Sequence, residues 1–302
     1  MSESSGTPSE NRFGLLSILP TVGFLTVLST APLLYAFALS FQKYKLTSPG
    51  QHPFIFLDNY AKVVDSYHFE AAITNTLVFT VGAVVFVFLI SLIFSLALNE
   101  KFRGSGWLRI LILVPWAIPE MASALVWRWI YDSQFGVLNA ILVYVIPVFD
   151  SYQSWLGSPV YAMPAILVPQ IWKEIPLCVL LFLTGYSTIP QSLYEAAKID
   201  GANAFARFRR ITIPMLKPII QIILVYETIM GIASFAYVYI LTGGGPGDAT
   251  TTLSWYTYMA SFSFADFGQG AAIAVIMSII SLIFIALYFR LIPTRRFGAV
   301  GV

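Results

Sequence analysis

The chain has 302 residues, of which 58% are hydrophobic and only 11% charged, with a formal net charge of +2. Its mean hydropathy of +0.77 excludes an ordinary soluble domain, and basic residues spread over loop ends leave no footprint for nucleic acid. The single cysteine, Cys178, excludes disulfides and thiolate metal sites within the chain.

In chain order, residues 1–13 open rich in Ser, Glu and Pro and are expected to form a disordered tail. A membrane domain then occupies residues 14–292. Spans of roughly 20 apolar residues are needed to cross the hydrocarbon. Six runs meet that length: about Leu15 to Phe41, Ile73 to Leu98, Leu108 to Ile130, Val160 to Thr184, Ile219 to Leu241 and Ala271 to Ile292. Without water inside a bilayer, all six are expected to be helices. The first run outlasts a signal-peptide core of about 7 to 15 residues and lacks a basic start, so it reads as an uncleaved anchor. His52 and His68 fall in the loop from Gln42 to Ala72 with no acidic or Cys partner at ligand spacing, and no metal site is expected there. Arg128, between Trp127 and Trp129, reads as a residue that snorkels from the outer end of the third span.

Orientation follows from the basic residues. With the N-terminus inside, the cytoplasmic side carries Arg12, Lys101, Arg103, Arg109, Lys198, Arg207, Arg209, Arg210, Lys217, Arg290, Arg295 and Arg296, against Lys43, Lys45 and Lys62 outside. Both termini, including a short tail at 293–302, and the loop at 187–218 are therefore expected in the cytoplasm.

That loop, Ser187 to Pro218, is charged and helix-prone between two apolar spans. Ser192 with Glu195 three positions on forms a capping-box pattern, Gly201 supplies a left-handed stop after Asp200, and Asn203 caps a second helix that should end before Pro214. Further on, Thr242-Gly243-Gly244-Gly245-Pro246-Gly247 reads as a tight external loop, since it lacks the lysine of a phosphate cradle. No Gly-Lys dipeptide occurs anywhere, and no H-E-x-x-H or G-x-S-x-G, so neither ATP hydrolysis nor proteolysis or acyl transfer by this chain is expected.

Glu195-Ala196-Ala197, then Asp200-Gly201-Ala202, then Phe208, Ile211 and Pro214 resemble the EAA signature of ABC-importer permeases. LTGGGPGDATTTL, the stretch Phe267 to Ala271, PWAIPEMASALVWRWIYDSQFGVLN and IWKEIP resemble its carbohydrate branch, of MalF or UgpA type. The resemblance implies an all-α integral membrane fold of six helices with a cytoplasmic coupling loop. In it Glu195, Ala196, Ala197, Asp200, Gly201 and Ala202 would dock on an ATPase. It also implies a second, MalG-like permease subunit, two ATPase subunits that hold the ATP and magnesium, an external solute-binding protein, a sugar substrate and residence in the cell membrane among lipid. This chain itself would bind no cofactor.

Charges within hydrocarbon cost on the order of 2.5 to 3.5 kcal/mol at a helix centre and tend to pair or line a cavity. Glu120, Lys173, Glu174 and Glu227 place charge near the middle of three spans, and Pro115, Pro119, Pro164, Pro169 and Pro176 are expected to interrupt the helices around them. The resemblance points to the same places, implying a sugar path along Trp116, Glu120, Lys173, Glu174, Leu177, Glu227, Gly231 and Ser234. Trp116 would stack on a sugar face while carboxylates accept hydroxyl protons. The carboxylates also suit a proton-coupled secondary transporter, a rival that leaves the loop at 187–218 without a role.

Overall fold

The computed structural model describes residues 8–48, 50, 52–100 and 102–293, with side chains from Leu16 onward. Lys101, Arg295, Arg296 and most of both expected tails lie outside the described residues. The elements run α1 (Pro8–Leu25), α2 (Ala31–Leu39), α3 (Asp58–Val64), α4 (Tyr67–Asn99), α5 (Ser105–Ile112), α6 (Val114–Ala117), α7 (Glu120–Ile130), α8 (Val137–Ala140), α9 (Pro159–Ser187), α10 (Gln191–Ile199), α11 (Ala204–Arg207), α12 (Ile213–Ala233), α13 (Leu253–Tyr258) and α14 (Phe267–Leu291). Among the described residues the only β pairing is two isolated bridges, Gln42 with Phe54 and Lys45 with Asp266. Five helices are long and apolar enough to cross a membrane, and a sixth crossing appears when one bent pair is taken as a single span.

The chain divides into two compact units, one made of the described residues up to Asp65 with Thr257–Val275, the other of Ser66–Tyr256 with the residues from Ile276 onward. In the first, α1 passes through a π-helical turn, Thr26–Thr30, into α2, giving one rod over Leu16–Leu39 whose side chains are almost all exposed. A rod apolar all round belongs in acyl chains or against other apolar surface. Because α1 starts at Pro8, the expected disordered tail is cut short at its end. The following loop is tied by polar contacts: buried Asn59 donates to the carbonyls of Ser40 and Gln42 at 2.9 and 2.8 Å, and Lys45 pairs with the buried Asp266 at 3.0 Å.

In the second unit α4 packs along α9 and α12, and α12 also packs on α9. Their shared core joins Val87, Cys178, Phe182, Leu216, Ile220 and Ile223, and a second cluster groups Phe79, Ala124, Ile166, Tyr237, Val238 and Leu241. Apolar side chains gain little by exchanging lipid for one another, so association relies on close packing at small residues. Gly231 shows this. A Cβ there would sit 3.1 Å from the Thr80 Cα, so the α12 and α4 backbones touch.

The third span is interrupted at Pro119 as expected: α6 and α7 meet at a 93° break, where Ile118, driven out of the helical region by the proline that follows it, and Pro119 itself are extended (ψ 129° and 137°). Other expectations need correction. Pro164, Pro169 and Pro176, by contrast, leave α9 uninterrupted over its 29 residues, as neighbouring helices can support a helix that has lost single N–H bonds. Nor does the helix after Asn203 end before Pro214. A π-helical turn, Phe208–Thr212, carries α11 straight into α12. The same turn-then-proline spacing occurs at Thr26–Thr30 and Pro32. In both, the wider turn shifts the hydrogen-bond register just ahead of a residue that has no N–H and crowds the carbonyl four back. The fifth span breaks instead at Ser234 and Phe235, where Ser234 takes ψ 119°.

Gly231→Ala is expected to cost about 1 to 3 kcal/mol by overpacking, read as a lowered melting temperature of the detergent-solubilised chain. Gly23→Ala, whose Cβ meets nothing within 4 Å, should be neutral or stabilising by up to about 1 kcal/mol through helix propensity.

Candidate functional site

The loop between α9 and α12 is built around a helix stop. α10 begins after Pro190, not at Ser192, and no side chain caps it, so the expected capping box is absent: Ser192 sits inside the helix. Its far end follows the expectation. Gly201 has φ +78°, its N–H donates to the Lys198 carbonyl at 3.1 Å, and the Ala202 N–H donates to the Ala197 carbonyl at 2.9 Å. These two bonds form a Schellman stop, with Gly201 in the one position where a Cβ is penalised. Ala197, Asp200, Gly201 and Ala202 thus each occupy a defined place in the stop. Asn203 Oδ1 accepts from the Ala206 N–H at 2.8 Å, capping α11 as expected, and Arg207 donates to the Ala202 carbonyl at 2.6 Å. Tyr194 OH bonds Thr212 Oγ1 at 2.9 Å and pins α10 to the α12 stem. Glu195, Ala196, Asp200 and Gly201 face outward, with Ala197 and Ala202 half-buried. Two large apolar side chains flank the stop in the open, Ile199 at 88% exposure and Phe205 at 70%. Beside them lies a cavity of about 910 Å³ lined by Asn99 and Glu100 from the end of α4 and by Gln191, Lys198, Phe205 and Arg207.

The polar interior is a second constellation. Lys173 donates to the Trp116 carbonyl at 3.3 Å, just before the break at Pro119, and Glu120 at the head of α7 lies within charge range of Lys173 and Glu174. Leu177, one turn beyond Lys173, is half-buried on the same face of α9. The next face carries Glu174 and Cys178, and both reach α12: Tyr226 OH donates to Glu174 Oε2 at 3.0 Å and Cys178 Sγ donates to Glu227 Oε1 at 3.0 Å. Glu227 has no exposed surface, and its other oxygen, Oε2, has no hydrogen-bond partner; neither has the buried Thr80 Oγ1. Gly231 is sealed against Thr80. Ser234 sits at the helix break, its carbonyl accepting from Ser254 Oγ at 2.5 Å and its hydroxyl facing Gln170 Oε1 at 3.4 Å.

The structure therefore brings Trp116, Glu120, Lys173 and Glu174 together, links Glu174 and Glu227 through α9 and α12, and leaves Glu227 and Gly231 without open surface. Sequence reasoning missed Tyr226, Gln170 and Thr80, and it left Cys178 unassigned. Tyr226 beside Glu227, and Cys178 one turn from Glu174, were the available signals. Arg128, expected to snorkel, extends to the Ile240 carbonyl at 3.5 Å.

Comparison with known proteins bears on both constellations. Residues 88–297 match the family described as binding-protein-dependent transport system inner membrane component. The trehalose/maltose transport system permease protein MalF of Thermococcus litoralis is 37% identical across 95% of this chain and 96% of its own length. The sulfoquinovosyl glycerol transport system permease protein SmoG of Agrobacterium fabrum is 36% identical across 95% of this chain and 92% of its own. A chain from the crystal structure of a bacterial ABC transporter involved in import of the acidic polysaccharide alginate superposes with a TM-score of 0.79 at 22% identity, covering 96% of this chain and 97% of that one, which establishes a common fold. The chain belongs to the family of inner-membrane components of binding-protein-dependent transport systems.

Proposed function

We propose that this chain is the transmembrane permease subunit of an ABC importer that carries a di- or oligosaccharide, or a related polyol, into the cell, driven by separate ATPase subunits. The observation that carries the reading is the pair Ile199 and Phe205, exposed on either side of the Gly201 stop in a polar loop outside the apolar spans. Apolar side chains presented this way mark a protein contact. The excess of Lys and Arg on this side and at both chain ends supports a cytoplasmic loop and cytoplasmic termini, where an ATPase and its ATP and magnesium would be met. A second permease subunit beside the chain and a solute-binding protein outside complete the assembly.

The sugar assignment draws on the relatives named above and on the chemistry of the polar interior. Trp116, Glu120 and Lys173 offer a ring face, an acceptor and a donor to a hydroxyl-rich solute, with Leu177 beside them and Ser234 at the second helix break. Glu174, Glu227 and Gly231 stand behind, where they hold α9, α12 and α4 together. Docking strain on α10 would pass into both stems and tilt this interior between its two faces. The rival proton-coupled carrier draws its support only from the carboxylates and assigns nothing to Ile199, Gly201 and Phe205.

Gly201→Asp should abolish uptake while the chain remains in the membrane at normal abundance, measured by radiolabelled sugar uptake and immunoblot; normal uptake would remove the docking role. Collapsing the proton gradient with ATP maintained should leave uptake intact, whereas arrest would favour the carrier. Trp116→Ala and Glu120→Ala should each weaken sugar stimulation of ATP turnover by the whole complex by about tenfold, the size expected from losing one good contact. Unchanged stimulation would show that the site is misplaced.

A further inference from the structure

We infer that Phe235, Tyr239 and Trp255 form a stacking ledge for a pyranose ring, a sugar subsite in addition to Trp116 and Glu120. The inference rests on the sugar reading above and adds a place and a geometry to it. Phe235 and Tyr239 lie one helical turn apart, their ring centroids 5.2 Å from each other and their planes within 14°. Trp255, from α13, stands 6.0 and 5.7 Å from them at 28° and 37°. Several other aromatic contacts turn an edge to a face, as Trp127 with Trp172 at 73° and Phe149 with Trp155 at 80°. Here the three rings gather into an offset stack, with planes 14° to 37° apart. An aromatic face carries the negative end of its quadrupole, and one side of a pyranose presents a row of weakly positive C–H bonds that complements it.

The ledge is held in place. Tyr237, on the same short segment, is fully buried with its hydroxyl 3.0 Å from Ser123 Oγ, which stops the segment from rotating. Trp255 is backed by Gly244, where a Cβ would come 2.5 Å from the indole Nε1, so the loop fits the ring only as glycine. Ser254 ties α13 to the carbonyl at the break. Tyr239 is nonetheless 45% exposed, so the stack reaches the surface of the chain.

Its surroundings select a sugar over an acyl chain. The ledge starts one residue beyond Ser234, at unwound backbone, and irregular backbone at membrane depth is found where it is covered by protein or lines an aqueous cavity. Ser234, Gln170 and Ser254 cluster at its foot, and the guanidinium of Arg128 reaches the Ile240 carbonyl next to Tyr239. This buried, mutually bonded polar cluster makes the foot of the stack part of a polar interior, which suits a solute with one apolar side and polar edges better than a lipid tail.

The test uses the assembled importer in proteoliposomes with trehalose and maltose as probes. Tyr239→Ala is expected to raise the KM for uptake about tenfold, as loss of one stacking contact would, with the maximal rate and basal ATP turnover within about twofold of wild type. Tyr239→Phe, which keeps the face, should behave as wild type, and Phe235→Ala should repeat the KM effect. An unchanged KM in Tyr239→Ala, or a Tyr239→Phe defect as large as that of Tyr239→Ala, would overturn the ledge while leaving the sugar reading standing. So would loss of the partner permease from the Tyr239→Ala complex, since it would make this face a subunit contact. If the wild-type importer takes up neither probe and no hexose oligosaccharide stimulates its ATP turnover, the sugar reading fails and the ledge falls with it.

Discussion

The structure depends on how three helices stay together where the hydrophobic effect gives little help. In lipid, a leucine facing acyl chains is about as well placed as one facing another leucine, so α4, α9 and α12 must be joined by close approach and by internal hydrogen bonds. Gly231 lets α12 lie on the Thr80 backbone of α4. Tyr226 to Glu174 and Cys178 to Glu227 then stitch α12 to α9. A polar group in such an interior is costly without a partner and directional with one, so these two bonds fix the relative rotation of the helices in a way that packed leucines cannot.

Against that core, the backbone within the spans leaves the helix at particular places. One is the 93° bend at Ile118 and Pro119, immediately before Glu120. Another is the unwound pair Ser234 and Phe235. Each stands beside polar side chains: Lys173 bonds the Trp116 carbonyl near the first, while Ser254 and Gln170 meet Ser234 at the second. Helix ends inside the spans free carbonyls and N–H groups that must be satisfied, and the same freed groups suit a surface that a hydroxylated solute passes.

Much of this was legible in the sequence because its causes are local. Length and hydropathy gave the crossings, since a bilayer sets both. Gly201 and Asn203 announced the stop and the cap around Ala202, because only a left-handed position and a side-chain acceptor serve there. Proline was the least readable residue. Pro119 breaks a helix, Pro164, Pro169 and Pro176 do not, and Pro32 and Pro214 follow a π-helical turn that lets the helix run on. Whether a missing N–H unwinds a helix depends on what packs around it, which is long-range. The same holds for Glu227. Its charge was visible, but its complete burial follows from how α9 and α12 sit together.

The two constellations are joined by the chain itself. α9 runs directly into the loop and α12 leads directly out of it, so α10 hangs between two stems. The bonds that cross-link those stems lie about 14 to 20 Å from the loop along α9 and about 20 Å along α12, given a rise of about 1.5 Å per residue. Tyr194, bonded to Thr212, fastens α10 to the second stem, so that a push on Ile199 or Phe205 is not absorbed by a slack connection. The two stems are cross-linked at Glu174 and Glu227. They carry the break at Ser234, on α12, and the Lys173 contact to Trp116, on α9. In the proposed docking, a force applied to the loop would therefore reach both places where the backbone already leaves the helix.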